Sequence, residues 1–338
     1  MEKYDNEMYS IVDPPYLCKF IQENMDPLEI TEYSQYLKVH RAINERPELN
    51  CISLSLFAQH LDNEAPSHSL PDFADKNGPW YTKYYASFLK FIRDFNASSF
   101  YPTFKIRVYL ENQLFHWIED LCQMSDHLEI YYMARNSIGA QPGMLWRFLA
   151  FDDKRVDVVF CSDIDVEFNG HVVPRLQKFL QSSKTFGRLL ACCTDYTIDR
   201  SNPESSPLNY TVCNGSMLAI RPKQLDISMH DTMVNYIAYR KYRSSTARPT
   251  EEYNNRNTDR FNKPIGSHRH GWGGIWTMYG FDEKLLKHTL FPHLVQKGEV
   301  LSWVAPSMRV LQESRGDEPY MVDYQFTNMY DNEFVDFA

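Results

Sequence analysis

Two aspartates separated by a single residue follow an apolar stretch near the middle of the chain. Residues 156–168 read VDVVFCSDIDVEF, in which Asp163 and Asp165 come directly after the apolar run. Two close carboxylates repel each other unless a cation lies near them. The divalent ions Mg²⁺ and Mn²⁺ bind carboxylate oxygens and keep positions open for phosphate oxygens. The spacing therefore indicates a divalent metal site that a phosphorylated ligand completes.

The position of the pair decides between this interpretation and a solvated surface turn. An Asp-x-Asp triple is expected about once by chance in a chain of this length and acidic content, so the triple alone is a weak signal. Here it ends an apolar run typical of a buried strand, and parallel α/β sheets bind ligands outside the carboxyl ends of their strands. Because residues two apart in a strand point to the same side, we expect both carboxylates to face one small volume.

Segments of strand character alternate with segments of helical character on both sides of the acidic pair. This alternation predicts an α/β fold with a mostly parallel sheet flanked by helices. The predicted strands are 51–59, 104–111, 127–134, the quoted run before Asp163, 188–196, and one or two within 208–222; the predicted helices are 80–95, 114–122, 144–153, 174–182 and about 224–242.

Residues 1–50 precede this pattern and are predicted to form an N-terminal extension that packs on the core. Within them the sequence predicts a helix from about Thr31 to Asn44, with Thr31 as a candidate N-cap. Residues 51–338 are predicted to form one domain.

Composition excludes several classes of partner. The net charge of −9 argues against nucleic acid and anionic membranes, because both require a basic surface. The seven cysteines are scattered without a C-x-x-C pair, which predicts reduced thiols rather than disulfides or a zinc site. The N-terminus MEKYDNEMYS lacks the features of a signal peptide, and no segment approaches the roughly 20 apolar residues of a membrane span. We therefore expect a soluble, cytoplasmic protein, with its oligomeric state left open.

Three segments carry a resemblance to a known family. FCSDIDVEF resembles the D-x-D motif of GT-A-fold glycosyltransferases, which hold the diphosphate of a nucleotide sugar through a divalent metal. VCNGSMLAIRP (212–222) resembles the small-residue strand that lines the sugar site in many of these enzymes. HGWGGIWTMYGFDEKLLKHTL (270–290) resembles the glycine-rich loop, acidic pair and helix of the blood-group A/B and α-1,3-galactosyl transferases, although the segment between Gly274 and Asp282 differs from theirs. Soluble enzymes of this kind also occur in some large DNA viruses.

The resemblance covers about residues 51–305 and implies a GT-A-like, Rossmann-type fold. It implies a glycosyltransferase that moves a sugar from a UDP- or GDP-sugar, most readily a UDP-sugar, to a hydroxyl of a glycan or other acceptor. Mn²⁺ or Mg²⁺ would be held by Asp163 and Asp165, with Asp165 as the more direct ligand. Residues 51–167 would form the nucleotide-sugar half of the domain, and residues 168–338 the acceptor half.

Sugar transfer also needs a carboxylate that manages the acceptor hydroxyl or the developing positive charge. Asp282 and Glu283 are the candidates, although an acidic pair at a helix N-terminus is also ordinary capping. Trp272 is either a sugar-stacking ring or a core residue. The remaining candidates that the resemblance implies are Phe57, Ala58 and Gln59 for the nucleotide; Asn214 and Gly215 for the donor; His270, Trp272, Gly273 and Gly274 for the acceptor; and His288 as a third metal ligand, with His268, His270 and His293 as alternatives.

Two other functions stay open. Haloacid-dehalogenase phosphatases also carry Asp-x-Asp after an apolar strand, but they require Thr or Val where this chain has Glu167, and they place the motif near the start of the domain. A catalytically silent protein that binds nucleotide sugars or glycans would keep the same residues without turnover. Whether transfer would retain or invert the anomeric configuration is not decided by the sequence.

Overall fold

The computed structural model describes residues 14–57, 81–112, 114, 121–133, 143–182, 189–195, 211–213, 218–246, 282, 285–290, 293, 300–305 and 334–336. Its α-helices are α1 (Pro14–Asn24), α2 (Pro27–Tyr36), α3 (Ala86–Asn96), α4 (Gly143–Trp146), α5 (Val173–Ser182) and α6 (Met229–Thr246). Shorter helical turns span Tyr81–Tyr85, Arg147–Asp152, Phe168–Val172, Pro222–Gln224 and Leu286–Leu290. The strands are β1 (Val39–Ile43), β2 (Asn50–Leu56), β3 (Phe104–Glu111), β4 (Leu128–Met133), β5 (Val159–Cys161), β6 (Leu189–Asp195), β7 (Thr211–Cys213), β8 (Leu218–Ile220), β9 (Val300–Ala305) and β10 (Phe334–Asp336).

All ten described strands belong to one sheet with the order β1-β4-β3-β2-β5-β8-β6-β9-β10, and β7 pairs with β6 outside this path. The pairings β2–β3, β2–β5, β3–β4 and β6–β9 are parallel. Because β8 pairs antiparallel with both β5 and β6, these two strands run in the same direction. Six of the described strands therefore run in one direction, namely β2, β3, β4, β5, β6 and β9. The predicted fold class, a mostly parallel Rossmann-type sheet flanked by helices, is confirmed.

The direction in which the chain adds strands reverses beside β2. From β2 the chain adds β3 and then β4 on one side, and it returns to place β5 on the other side of β2. Residues 51–53 of β2 lie opposite residues 159–161 of β5 in parallel register. The loops that leave the carboxyl ends of β2 and β5 therefore diverge, and such a reversal creates the crevice where open α/β sheets bind ligands.

Alternation along the strands divides the core into two layers. In β2, Cys51 packs into one layer, whereas Ile52, Leu54 and Leu56 pack into the other. The second layer receives α3, whose Phe88, Phe91, Ile92 and Phe95 recur at helical spacing and are all buried. The first layer is covered by α1, α2, α4 and α6, and the indole of Trp146 donates a hydrogen bond to the carbonyl of Tyr36 at 2.9 Å.

The predicted helix from Thr31 to Asn44 is wrong in its second half. Helix α2 begins at Pro27, with Asp26 as the N-cap that accepts a hydrogen bond from the amide of Leu28, and it ends at Tyr36. Thr31 therefore lies inside the helix rather than at its start. Residues 39–43 form β1, which pairs antiparallel with β4 at the edge of the sheet. Pairing with a strand distant in sequence outweighs local helix preference here, and local patterns do not reveal it.

The described elements also bear on the thiols and on membrane spans. Cys18, Cys51, Cys122 and Cys161 are free, and burial raises the pKa of Cys51 to about 12, so this thiol is protonated at neutral pH. None of the described helices is long and apolar enough to cross a membrane.

A buried charge network lies on the first-layer face, near the amino ends of β3 and β4. Glu129 is fully buried and pairs with Lys105 at 2.8 Å and with Arg107 at 2.7 Å. Arg107 also pairs with Asp153 at 2.7 Å. The backbone of Arg46 joins the network, because its amide donates to Glu129 and its carbonyl accepts from Lys105. The loop between β1 and β2 is thus anchored by buried charges that need one another.

Removing Glu129 tests this dependence. We expect Glu129→Ala to lower the free energy of unfolding by about 3–5 kcal/mol, because buried Lys105 loses its carboxylate partner and buried Arg107 loses one of its two. The matched control is Asp157→Ala, which removes an exposed carboxylate that pairs with Lys223 at 2.6 Å and should cost less than about 1 kcal/mol. Denaturant unfolding measures both, and equal effects would contradict a structural role for the buried network.

Candidate active site at the carboxyl ends of the strands

The acidic pair lies at the reversal of the strand order, immediately after β5. Strand β5 ends at Cys161, and the residues that follow form a turn. Strand alternation therefore does not set the directions of the two carboxylates, because neither aspartate lies within the strand. Asp163 pairs with Arg147, which belongs to the first-layer face, whereas Asp165 pairs with Lys83 at 3.4 Å from the turn that precedes α3 on the opposite face. Each carboxylate meets a different cation.

Arg147 joins the acidic pair to a distant part of the chain. Its Nη1 donates to Asp163, and its Nη2 donates to Oδ2 of Asp282 at 2.5 Å. The guanidinium and the Asp282 side chain are largely buried, so this ion pair is shielded from water, whereas Asp163 keeps an exposed side. Two candidates that were predicted from separate motifs, Asp163 and Asp282, therefore lie against one side chain.

The backbone of Arg147 is held from the sheet. Its carbonyl accepts hydrogen bonds from the hydroxyl of Ser53 at 2.7 Å and from the thiol of Cys161 at 3.4 Å. These donors lie on the adjacent strands β2 and β5, on either side of the strand-order reversal. The position of the guanidinium is consequently fixed by the two strands whose carboxyl ends form the crevice.

The charges of the site perturb one another in opposite directions. Although burial alone would lower it, the carboxylates of Asp163 and Asp282 hold the pKa of Arg147 above its ordinary value. Burial, and then the neighbouring charge of Asp163, raise the pKa of Asp165. Among the described side chains, three carboxylates face two cations here, which leaves a net charge of −1. A divalent cation would make the site positive and suited to a phosphorylated ligand.

Phe57 leaves the carboxyl end of β2 beside the same crevice. Its ring packs edge-on against Trp146, with 6.1 Å between the ring centroids. Gly143 lies so close that a Cβ placed on it would be 2.3 Å from Cγ of Phe57. The absence of a side chain at Gly143 therefore sets where the Phe57 ring lies.

Two buried polar atoms near the crevice have no hydrogen-bond partner within the described part of the chain. They are Oγ of Ser55 and Nε of Arg147. Ser55 lies two residues beyond Ser53 on the same face of β2, toward the carboxyl end. Buried polar groups in native proteins are ordinarily paired, and unpaired ones often mark a place for a ligand or water.

The other predicted site residues are placed as follows. Ala58, Gln59, Asn214, Gly215, His268, His270, Trp272, Gly273, Gly274 and Glu283 lie outside the described residues. His288 belongs to the helical turn Leu286–Leu290, of which only the backbone is described at this position. His293 contacts Asp226, with 3.0 Å between Nε2 and Oδ1. Within the described ranges, no three His, Cys, Asp or Glu side chains cluster as a metal site would require.

Sequence reasoning missed Arg147, Lys83 and Ser55. Arg147 lies in the predicted helix MLWRFLAFDD. The sequence signal for a functional role is that it is a single cation among apolar residues. Lys83 lies in an aromatic-rich segment that is typical of core helices, and Ser55 alternates with leucines as any half-polar strand would. Their roles follow from the topology and not from local pattern.

Comparisons with known proteins add little to this geometry. No protein-family model matches the sequence, and no curated protein matches it. Among solved structures, the chain is similar to 4-diphosphocytidyl-2C-methyl-D-erythritol synthase from Anaerococcus prevotii, with a TM-score of 0.31 and 12% identity over 61% of this chain and 80% of that one. A likeness of this size does not indicate a function. Any function must therefore be inferred from the geometry of the site.

The contact between Gly143 and Phe57 gives a testable expectation. Gly143→Ala should lower the free energy of unfolding by about 1–3 kcal/mol, because the added methyl group must displace a packed ring. Gly170→Ala is the matched control, since its Cβ would meet only the tip of the flexible Glu167 side chain at 3.1 Å. Denaturant unfolding should separate the two variants, and equal stabilities would show that the Phe57 ring does not depend on Gly143.

The raised pKa of Asp165 predicts a pH-dependent stability difference. Folding disfavours the charged form of this carboxylate, so Asp165 contributes stability at low pH that is lost as the pH rises from its ordinary pKa of 3.8 through the raised value. The unfolding free energy of Asp165→Asn minus that of the metal-free wild type should therefore increase over this window and then level off. Unfolding curves between pH 3 and pH 7 would measure it, and a difference independent of pH would contradict the shift.

Proposed function

We propose that this chain is a metal-dependent glycosyltransferase that moves a sugar from a nucleotide-diphosphate sugar, most readily a UDP-sugar, to a hydroxyl of a glycan or other acceptor. The observation that supports it is the bridge from Arg147 to Asp163 and Asp282. It brings the candidate metal-binding pair and the candidate catalytic segment together at the reversal of the strand order, where this fold class binds ligands.

The described residues fit a divalent cation in kind and in charge. Asp163 and Asp165 supply carboxylate oxygens, which are the ligands of hard ions such as Mg²⁺ and Mn²⁺. Their side chains are 41% and 26% exposed, so an ion can reach them from solvent. The remaining ligands would be diphosphate oxygens, water or residues outside the described ranges. When bound, the ion would supply charge neutralisation for the departing diphosphate.

The chain's own residues would divide the remaining work. The donor nucleotide would lie at the end of β2, against Phe57 and near the unpaired hydroxyl of Ser55. Arg147 would hold Asp163 and Asp282 in fixed positions relative to each other. Asp282 and the adjacent Glu283 would face the anomeric carbon or the acceptor hydroxyl, where a carboxylate stabilises developing positive charge or removes a proton.

Incubation with a panel of UDP-, GDP- and dTDP-sugars and MnCl₂ tests the proposal. We expect metal-dependent binding and release of free nucleotide from one class of donor. Asp165→Ala should reduce this release by about 100-fold or more, since charge stabilisation of a leaving group at a single site is of that order. Asp157→Ala, at the opposite end of the same strand, should retain activity because Asp157 is exposed and distant from the crevice.

Other outcomes would point elsewhere. The absence of metal-dependent binding of every nucleotide sugar would overturn the proposal. Release of inorganic phosphate from sugar phosphates would favour the phosphatase alternative. Tight binding of a nucleotide sugar without turnover, with any glycan acceptor supplied, would favour a silent binding protein.

A further inference from the structure

Lys83 forms an ion pair with Asp165, the second aspartate of the acidic pair. It lies in the helical turn Tyr81–Tyr85 directly before α3, and its Nζ is 3.4 Å from Oδ2 of Asp165. The same amine is 3.2 Å from the hydroxyl of Tyr84 and lies over its ring at 4.8 Å from the centroid. The Lys83 side chain is 60% exposed, so its charge is accessible to solvent.

The two aspartates differ in how firmly their cations are held. The guanidinium of Arg147 is buried and makes a second ion pair to Asp282, so leaving Asp163 would strand a buried charge. Lys83 is 60% exposed on a long side chain, so its charge stays hydrated when it leaves Asp165. An incoming cation can therefore displace Lys83 but not Arg147.

The geometry points to Lys83 as a resident counter-ion of Asp165 that a divalent cation displaces and that then binds the diphosphate of the donor. This inference rests on the proposed function and deepens it. A divalent cation held by Asp165 would neutralise that carboxylate, and the Lys83 ammonium, 3.4 Å from the same carboxylate, would be free to pair with a phosphate oxygen. Lysine suits this exchange, because its charge sits on a flexible stem and pairs with phosphate as a point charge.

Calorimetric titrations of Lys83→Met test both halves without an activity assay. In the absence of nucleotide, the variant should bind Mn²⁺ about two- to fivefold more tightly than wild type, since the ion no longer competes with an exposed ion pair. At saturating Mn²⁺, it should bind UDP about tenfold more weakly, because a charge-assisted contact to phosphate is lost. Lys83 is exposed, so the substitution should not impair folding.

Lys90→Met is the matched control. Lys90 is 52% exposed on α3 and pairs with Asp94 at 2.7 Å and with Glu167 at 3.7 Å. Its replacement therefore removes the same positive charge without removing an ion pair to Asp163 or Asp165. Both affinities should stay within about twofold of wild type, as expected for a screened surface charge. Unchanged affinities in Lys83→Met, or equal changes in both variants, would overturn the inference and leave the proposed function intact. Failure of wild type to bind Mn²⁺ and UDP would overturn both.

Discussion

The site depends on one buried cation that three separate parts of the chain must share. The backbone carbonyl of Arg147 accepts hydrogen bonds from Ser53 and Cys161. Its two terminal nitrogens donate to Asp163 and Asp282. A buried guanidinium without carboxylates would cost several kcal/mol, so the buried position of Arg147 depends on these acidic partners. Asp282 is therefore tied to the sheet by charge, and Leu285, Leu286 and Leu290 by apolar packing.

The two charge networks described above differ in how completely their positive and negative groups balance. Around Glu129, the cations and carboxylates satisfy one another and the backbone of Arg46, far from the carboxyl ends of the strands. Around Arg147, carboxylates exceed cations among the described residues, and polar atoms of Ser55 and Arg147 stay unpaired. A balanced network fits a structural role, whereas an unbalanced one in which the pKa of Asp165 is raised is the kind of cluster that marks a candidate binding site.

Much of the fold could be predicted from the sequence because its parallel strands are short segments rich in apolar, β-branched and aromatic residues. FKIRVYLE corresponds residue for residue to β3, and the helix with Phe88, Phe91 and Phe95 is visible as a periodic pattern. The edge strand β1 could not be predicted, since its pairing partner β4 lies far along the chain. For the same reason the acidic motifs suggested chemistry at Asp163 and Asp282, yet nothing local indicated that Arg147 lies between them.

The turn after Cys161 changes what the acidic pair can do. On a continuous strand, the two carboxylates would face each other across an empty volume and attract a cation strongly. In the turn, Asp163 already pairs with Arg147 and Asp165 with Lys83, so under the proposed function a divalent ion exchanges with one of these cations. Under the proposed function, a divalent ion alone therefore binds weakly. It binds most tightly when a diphosphate supplies further oxygens and pairs with the displaced cation. Metal and donor affinity are then coupled by thermodynamic linkage, each strengthening the other by the same factor.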